Sequence, residues 1–372
     1  MLPFTPLAAA LPSTVPFVGP EAQERARGGP FAARLGANEN GFGASPRVAE
    51  AIAAAAGDVW QYGDPENFDL KRALSAHHGV APERVGIGEG IDGILQVITR
   101  LFVGEGTAVV TSAGAYPTFN YHVNGFGGRL VTVPFRDDHE DIDALVEAAT
   151  RENAALMYLA NPDNPMGTWW DADRIADLIA RIPEGTILLL DEAYMEFAPA
   201  SAQLSMAVEH PRLVRLRTFS KAYGMAGLRL GYIVASAGMV TALDKVRNHF
   251  GVSRIAQAAA LAALADTAYL EAMLANVETA KARIETIAAA HGLTTVPSAT
   301  NFVAIDTGYD GTVARALVAA LSARGVFVRM PFVAPQDRCI RVTAGPDRLL
   351  DVFEAALGPA LAEATAQVAA AE

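Results

Sequence analysis

Between about residues 46 and 250, short runs of apolar residues alternate with stretches of helical periodicity. Ala108–Thr111, Leu130–Val133, Ala155–Leu159, Thr186–Leu190, Leu213–Leu216 and Tyr232–Ala235 read as strands. Helical patterns occupy Arg47–Ala56, Gly90–Leu101, Asp141–Thr150 and Asp171–Arg181. Runs apolar at nearly every position suit strands covered on both faces. Their alternation with helices requires crossover connections. The expected architecture is therefore α/β, with a mostly parallel central sheet and helices on both faces.

The pattern changes after Gly251. Ile255–Ala290 reads as nearly continuous helix, with Glu278, Lys281 and Arg283 opposite an apolar stripe. Phe302–Ile305, Val326–Val328 and Cys339–Val342 follow as short strands, with a helix over Thr312–Arg324. This gives three expected segments. Residues 1–45, rich in Pro and Gly, form an extended arm; 46–250 form a large domain; 251–372 form a small α+β domain that the arm can join.

Composition narrows the function classes. A net charge of -12 gives no general attraction for nucleic acid or anionic membrane. The single cysteine, Cys339, excludes an intrachain disulfide, and with no Cys/His cluster no metal site is expected. Residues 1–18 lack a basic start and carry several prolines, a poor signal peptide. No apolar run reaches the roughly 18–20 residues that span a bilayer. The chain is read as soluble and cytoplasmic.

In a sheet of this kind, ligands sit beyond the carboxyl ends of the strands. Three segments stand there: Asn161-Pro-Asp-Asn-Pro-Met-Gly167, Asp191-Glu-Ala-Tyr194, and Arg217-Thr-Phe-Ser-Lys221 running on to Arg229. Each alone is compatible with turns, caps or surface. Together they supply what pyridoxal 5′-phosphate requires. Lys221 offers an amine for a Schiff base. Asp191 offers a carboxylate for the ring nitrogen, and Asn164 and Tyr194 offer donors to the phenolic oxygen. Thr218, Ser220 and Arg229 suit a phosphate. Gly88-Glu-Gly-Ile-Asp-Gly93 matches the dinucleotide pattern G-x-G-x-x-G. It lacks an acidic residue at the ribose-binding distance, and its glycines and helix start suit a single phosphate.

These segments, with Asn38-Glu-Asn40, Tyr62-Gly-Asp64, Tyr116-Pro-Thr-Phe119, Ala226-Gly-Leu-Arg229, Val328-Arg329 and Ile340-Arg-Val342, resemble the class I/II aminotransferases that depend on pyridoxal phosphate. The resemblance implies an aspartate-aminotransferase-like fold, and the histidinol-phosphate aminotransferase branch is the nearest match. It covers about residues 11–357. It implies that Lys221 carries the cofactor and moves the proton, with Asp191 and Tyr194 as its catalytic partners. Phe119 would stack on the ring. The backbone amides of Glu89, Gly90 and Ile91 would join Thr218, Ser220 and Arg229 at the phosphate. Tyr62 would reach the phosphate of a second subunit, making a homodimer. Arg341, Arg329, Asn40 and Phe17 would line the substrate side.

Several of these residues also have plain structural readings: Phe119 as core, Tyr62 as local packing, Arg329 as a solvated charge. Arg341 sits between apolar neighbours on an expected strand, where an unpaired charge is costly, so an anion partner is favoured.

The chain departs from the family pattern at Met166, usually Thr, at Gly41, often Pro, and at Phe17, where the arm often carries a tyrosine that binds substrate phosphate. Losing that hydroxyl weakens a phosphate site by ~1–2 kcal/mol. The expected reaction is amino transfer between an L-amino acid or histidinol phosphate and a 2-oxo acid such as 2-oxoglutarate, and an aromatic amino acid is an alternative substrate. A decarboxylase, a carbon–sulfur lyase and a non-catalytic ligand-binding protein of the same fold are the competing readings.

Overall fold

The computed structural model describes residues 2–12 and 18–370. Among them the strands are β1 (Ala33–Arg34), β2 (Val85–Gly88), β3 (Ala108–Ser112), β4 (Arg129–Val133), β5 (Leu156–Ala160), β6 (Ile187–Asp191), β7 (Leu213–Thr218), β8 (Gly231–Ala235), β9 (Thr294–Val296), β10 (Phe302–Asp306), β11 (Val326–Phe327) and β12 (Cys339–Thr343). Seven of them form the central sheet in the order β2-β8-β7-β6-β5-β3-β4. β8 alone runs against its neighbours; the other pairings are parallel.

The two-residue period of each strand explains why the runs are apolar throughout. Val109, Leu156, Tyr158, Ile187 and Leu189 face one core, with Ile94, Leu95 and Ile98 of helix Gly90–Phe102. Val110, Met157, Leu159, Leu188 and Leu190 face the other, with Leu145 of helix Ile142–Arg151 and Ile175 of helix Ala172–Ala180. Helices begin where the chain offers a cap. Ser45 accepts from Arg47 N with Pro46 in the first turn, and Asp141, Ser236 and Asp310 cap the helices that follow them.

The C-terminal strands make a second, antiparallel sheet in the order β12-β10-β9. The N-terminal segment is tied to this part of the chain. β1 pairs in parallel with β11, and Thr343 N donates to Leu35 O at 2.8 Å.

The structure revises the expected elements in three places. Pro6–Ala10 and Pro20–Arg27 of the arm are helices rather than extended chain. The helix expected over 255–290 is two helices, Arg254–Ala265 and Thr267–Ala290, meeting at 82°. Asp266 causes the break: its side chain accepts from Tyr269 N to start the second helix and also accepts from Ser45 Oγ. Helices Phe68–His78, Pro117–Gly125 and Asp347–Ala369 were not anticipated. Pro117 and Pro359 punctuate two of them, although Pro117 lies in a first turn, where no N–H is lost.

β8 meets the start of helix Gly90–Phe102 backbone to backbone. A Cβ on Gly231 would stand 2.9 Å from Gly90 C and Ile91 N, and 3.1 Å from Arg217 O. Gly231→Ala is expected to lower unfolding stability by about 1–3 kcal/mol through overpacking. Urea denaturation checks this, and an unchanged midpoint would contradict the close approach.

Candidate active site

Three adjacent parallel strands end within two residues of one another. Ala160 at the end of β5 pairs with Asp191 at the end of β6, and Asp191 pairs with Leu216 near the end of β7. The three motif-bearing segments are thereby delivered to one crevice. A cavity of about 360 Å³ opens there, and Lys221, Asp191, Asn164 and Arg341 are among its walls. That volume suits a small-molecule site.

Asp191 sits on the cavity floor, 5% exposed. Tyr158 Oη donates to its Oδ2 at 2.7 Å, and Ala193 N donates to its Oδ1 at 3.0 Å. No cation pairs with it among the described residues. Burial therefore pushes its carboxyl up to about 6, against the hydrogen bonds that favour the ionised form. The next residue behaves differently. Burial also opposes ionisation of Glu192, but Arg215 and Arg217 hold it below its usual range, with contacts of 2.6–3.0 Å. This buried pairing anchors the loop on the far side of the sheet.

Lys221 Nζ donates to Asn38 O at 3.3 Å and lies 5.6 Å from the centre of the Tyr194 ring. Asn38 Nδ2 donates to Tyr194 Oη at 2.9 Å. On the adjoining wall, Arg341 Nη1 donates to Asn164 Oδ1, while Arg341 Nε has no partner among the described residues. Burial pulls the Arg341 guanidinium down to about 10. It is a desolvated cation with a donor to spare.

The opposite end suits an anion. Thr218 and Ser220 hydroxyls lie 2.9 Å apart. Arg229, in the left-handed region at φ 52°, brings Nη2 to 2.6 Å from where a Gly90 Cβ would stand. Gly90 begins the helix Gly90–Phe102, so its first amides and Arg229 share one corner. Asp92 balances that corner, 3.6 Å from Arg229 and accepting from Tyr116 Oη at 2.7 Å.

Comparison with known proteins decides the family. The family model for aminotransferase class I and II matches residues 33–357. The chain belongs to the class I and II aminotransferases. It is 36% identical over 357 residues to the histidinol-phosphate aminotransferase of Anaeromyxobacter sp. (strain Fw109-5), covering 95% of this chain and 97% of that one. Among solved structures, the histidinol-phosphate aminotransferase of Sinorhizobium meliloti in complex with pyridoxal-5′-phosphate is 54% identical. It superposes with a TM-score of 0.95, covering 97% of this chain and 98% of that one. The L-threonine-O-3-phosphate decarboxylase of Porphyromonas gingivalis shares the fold at 20% identity and a TM-score of 0.74, over 87% of this chain and 98% of that one.

In this aminotransferase the crevice gathers Asn164, Asp191, Tyr194, Thr218, Ser220, Lys221, Arg229 and Arg341, with Ile91 at the helix start. Other expected residues lie elsewhere. Phe119 is fully buried, stacked on Tyr158 at 4.9 Å, and belongs to the core below the site. Tyr116, three residues earlier, lines the cavity instead: Pro117 starts the helix there, so Tyr116 stays at the rim while Phe119 turns inward. Asn40 faces away and holds the lysine loop, donating to Lys221 O at 3.2 Å and Ala222 O at 3.3 Å. Arg329 is outside the cavity; its Nη2 donates to Val18 O at 2.8 Å, and its backbone bridges that of Arg341. Glu89 caps the start of the helix Gly90–Phe102, where its backbone amide was expected, and its side chain turns outward to Asn248 Nδ2 at 3.0 Å. Tyr62 is 76% exposed and packs on Phe250 at 4.8 Å. Phe17 lies outside the described residues.

Asn38, Asp92, Tyr116 and Tyr158 line the cavity without having been chosen as site residues. Asn38 and Tyr116 stand within the motifs that carry the family resemblance. Tyr158 had a further signal, a polar tip in an otherwise apolar strand.

The buried acid gives a pH test on ligand-free protein. An unfolded aspartate loses its proton near 4, while folded Asp191 keeps it to about 6. In that window the folded state binds more protons, so stability falls as pH rises and the penalty is complete above 6. Asp191→Asn is expected to match the wild type near pH 4 and to exceed it by roughly 3 kcal/mol above pH 7. Urea unfolding at both pH values measures this; a variant less stable at pH 7.5 would contradict it.

Proposed function

We propose that this chain is a pyridoxal-5′-phosphate-dependent aminotransferase that moves an amino group between histidinol phosphate and a 2-oxo acid such as 2-oxoglutarate. One observation carries the reading: a primary amine, a buried acid without a cation, and an anion corner line the same cavity. A buried carboxylate aimed into a cavity favours a cationic ring nitrogen. The corner of Thr218, Ser220, Arg229 and the helix start suits a phosphate. The likeness to the Sinorhizobium meliloti protein supports the same cofactor and substrate.

When bound, the cofactor supplies an aldehyde and an electron-accepting ring. The chain's residues do the rest. Asp191, oriented by Tyr158 Oη, holds the ring nitrogen protonated. Asn164 and Tyr194 would hold the phenolic oxygen, with Tyr116 on the same cavity wall. Lys221 Nζ would bind the aldehyde and would carry the proton between the substrate Cα and the cofactor. Arg341 holds the substrate's anionic group with the donor it has to spare.

The active unit in this reading is a homodimer. Trp60 and Tyr62 are each more than three-quarters exposed, and Phe250 is half exposed beside them. Such a patch suits burial against a second copy, which would bring Tyr62 to the partner's phosphate corner. The division into an arm, a large domain at 46–250 and a small domain at 251–372 is part of the proposal; the two sheets lie on opposite sides of that boundary. No single described helix is long and apolar enough to cross a membrane. With the net charge of -12, we read the protein as a cytoplasmic enzyme without nucleic-acid partners.

Borohydride reduction of the loaded protein should fix the cofactor to Lys221, and Lys221→Ala should abolish amino transfer. Glutamate should yield 2-oxoglutarate, without carbon dioxide, pyruvate or sulfide. In an amino-donor panel, histidinol phosphate should have the highest kcat/KM; a higher value for phenylalanine or tyrosine would move the assignment to an aromatic aminotransferase. Arg341→Met, which leaves the substrate anion unpaired, should lower kcat/KM by about 2–5 kcal/mol, or about 30-fold or more. A loss under threefold would remove Arg341 from the substrate site.

A further inference from the structure

Behind the Asn164–Arg341 contact lie two acids that the reaction does not use. Glu140 and Asp163 are each 2% exposed. Glu140 precedes the helix Ile142–Arg151, and its two oxygens are occupied. Ala160 N donates to Oε1 at 2.8 Å, and Ser112 Oγ donates to Oε2 at 2.5 Å. Asp163 lies in the loop after β5, one residue before Asn164. Its Oδ2 accepts from Met166 N at 2.8 Å, and its backbone bonds to Thr168 O and Gly167 N close the loop. Its Oδ1 has no partner among the described residues, and the Glu140 and Asp163 carboxyls are near enough for each to shift the other's protonation. Two ionised carboxylates that close inside a protein repel strongly. One proton between them removes the repulsion and satisfies the orphaned oxygen.

We propose that Glu140 and Asp163 share a single proton and act as a positioning pair for the Asn164–Arg341 contact, so that substrate-anion binding at Arg341 weakens when that proton leaves. The inference rests on the reading of Arg341 as the substrate-anion site. The charges around the pair set the direction of the effect. Glu140 faces Asp163 and, further off, Asp191; Asp163 faces Glu140 and Arg341. Arg341 in turn faces Asp163, Tyr194, Tyr116 and Arg329. With the proton in place, the pair carries one negative charge beside Arg341. Without it the pair carries two, and Asp163 competes with the substrate for the guanidinium. Burial sets the window, raising Asp163 to about 7 and Glu140 well above its usual range, the latter helped by the charge of Asp163.

The test uses the cofactor-loaded enzyme. In the wild type, KM for 2-oxoglutarate should rise about three- to tenfold from pH 6.5 to 8.5 with little change in kcat. Glu140→Gln supplies a permanent N–H to Asp163 and should hold KM within twofold over that range. Asp163→Asn reverses the donor and should do the same, which guards against a folding defect in one variant. Independently of turnover, the infrared spectrum of the wild type at pH 6.5 should contain a carboxylic-acid C=O band that both variants lack. Absence of that band from the wild type, its survival in both variants, or an unaltered KM slope in Glu140→Gln overturns the inference. An amide-sensitive band in a protein that transfers no amino group would uphold the shared proton and count against the functional reading instead.

Discussion

A buried aspartate at the end of a central strand, facing no cation among the described residues, is the constraint around which the rest of the site is arranged. An uncompensated carboxylate in such a place is costly, and the group responds by holding its proton more tightly. Asp191 is placed there by register: β5 and β6 run parallel and end at the paired residues Ala160 and Asp191, and the neighbouring β7 runs two residues further, to Thr218. Tyr158 reaches it from β5, and the buried Glu192–Arg215–Arg217 pairing clamps the following residue on the far side of the sheet. The destabilisation at Asp191 is thus local and is supported by a saturated ionic network next to it. A cationic ring nitrogen would relieve it.

The two ends of the crevice are charged in complementary ways. At one end a helix start, two hydroxyls and Arg229 converge, and the backbone of β8 comes close enough to that helix that only glycine fits at position 231. At the other end Arg341 is desolvated and keeps a free donor. A ligand with a phosphate at one end and a substrate carboxylate at the other satisfies both, with Lys221 between them. The fold alone does not choose the reaction, since a threonine-phosphate decarboxylase shares it. The choice lies with the side chains around Lys221 and Arg341.

Much of this was legible in the chain. Runs apolar at every position gave the buried parallel strands, because both faces of the sheet are covered by helices. The three motif segments fell at strand ends, where the sheet brings them together. What pattern reading missed depended on side-chain direction or on capping. Phe119 and Tyr116 sit in one motif, and only the helix starting at Pro117 decides which faces the ligand. Asn40 and Asn38 are two residues apart; Asn38 meets Tyr194 Oη with its side chain and Lys221 Nζ with its backbone oxygen, whereas Asn40 bonds the backbone oxygens of Lys221 and Ala222. Asp266 looked like one more helical residue until its side chain was seen to cap the next helix. Arg329 and Arg341 both carry charge near the C-terminal sheet, but only Arg341 lines the cavity.

The protonation of the cofactor ring is the point on which the account turns. Nitrogen-15 magnetic resonance of protein loaded with ring-labelled pyridoxal 5′-phosphate reads it directly. With Asp191 paired to the ring nitrogen, the nitrogen should give the shift of a protonated pyridinium at pH 8, and Asp191→Asn should move it to the neutral value. A neutral ring nitrogen in the wild type, or one indifferent to that substitution, would contradict the role given to the buried acid.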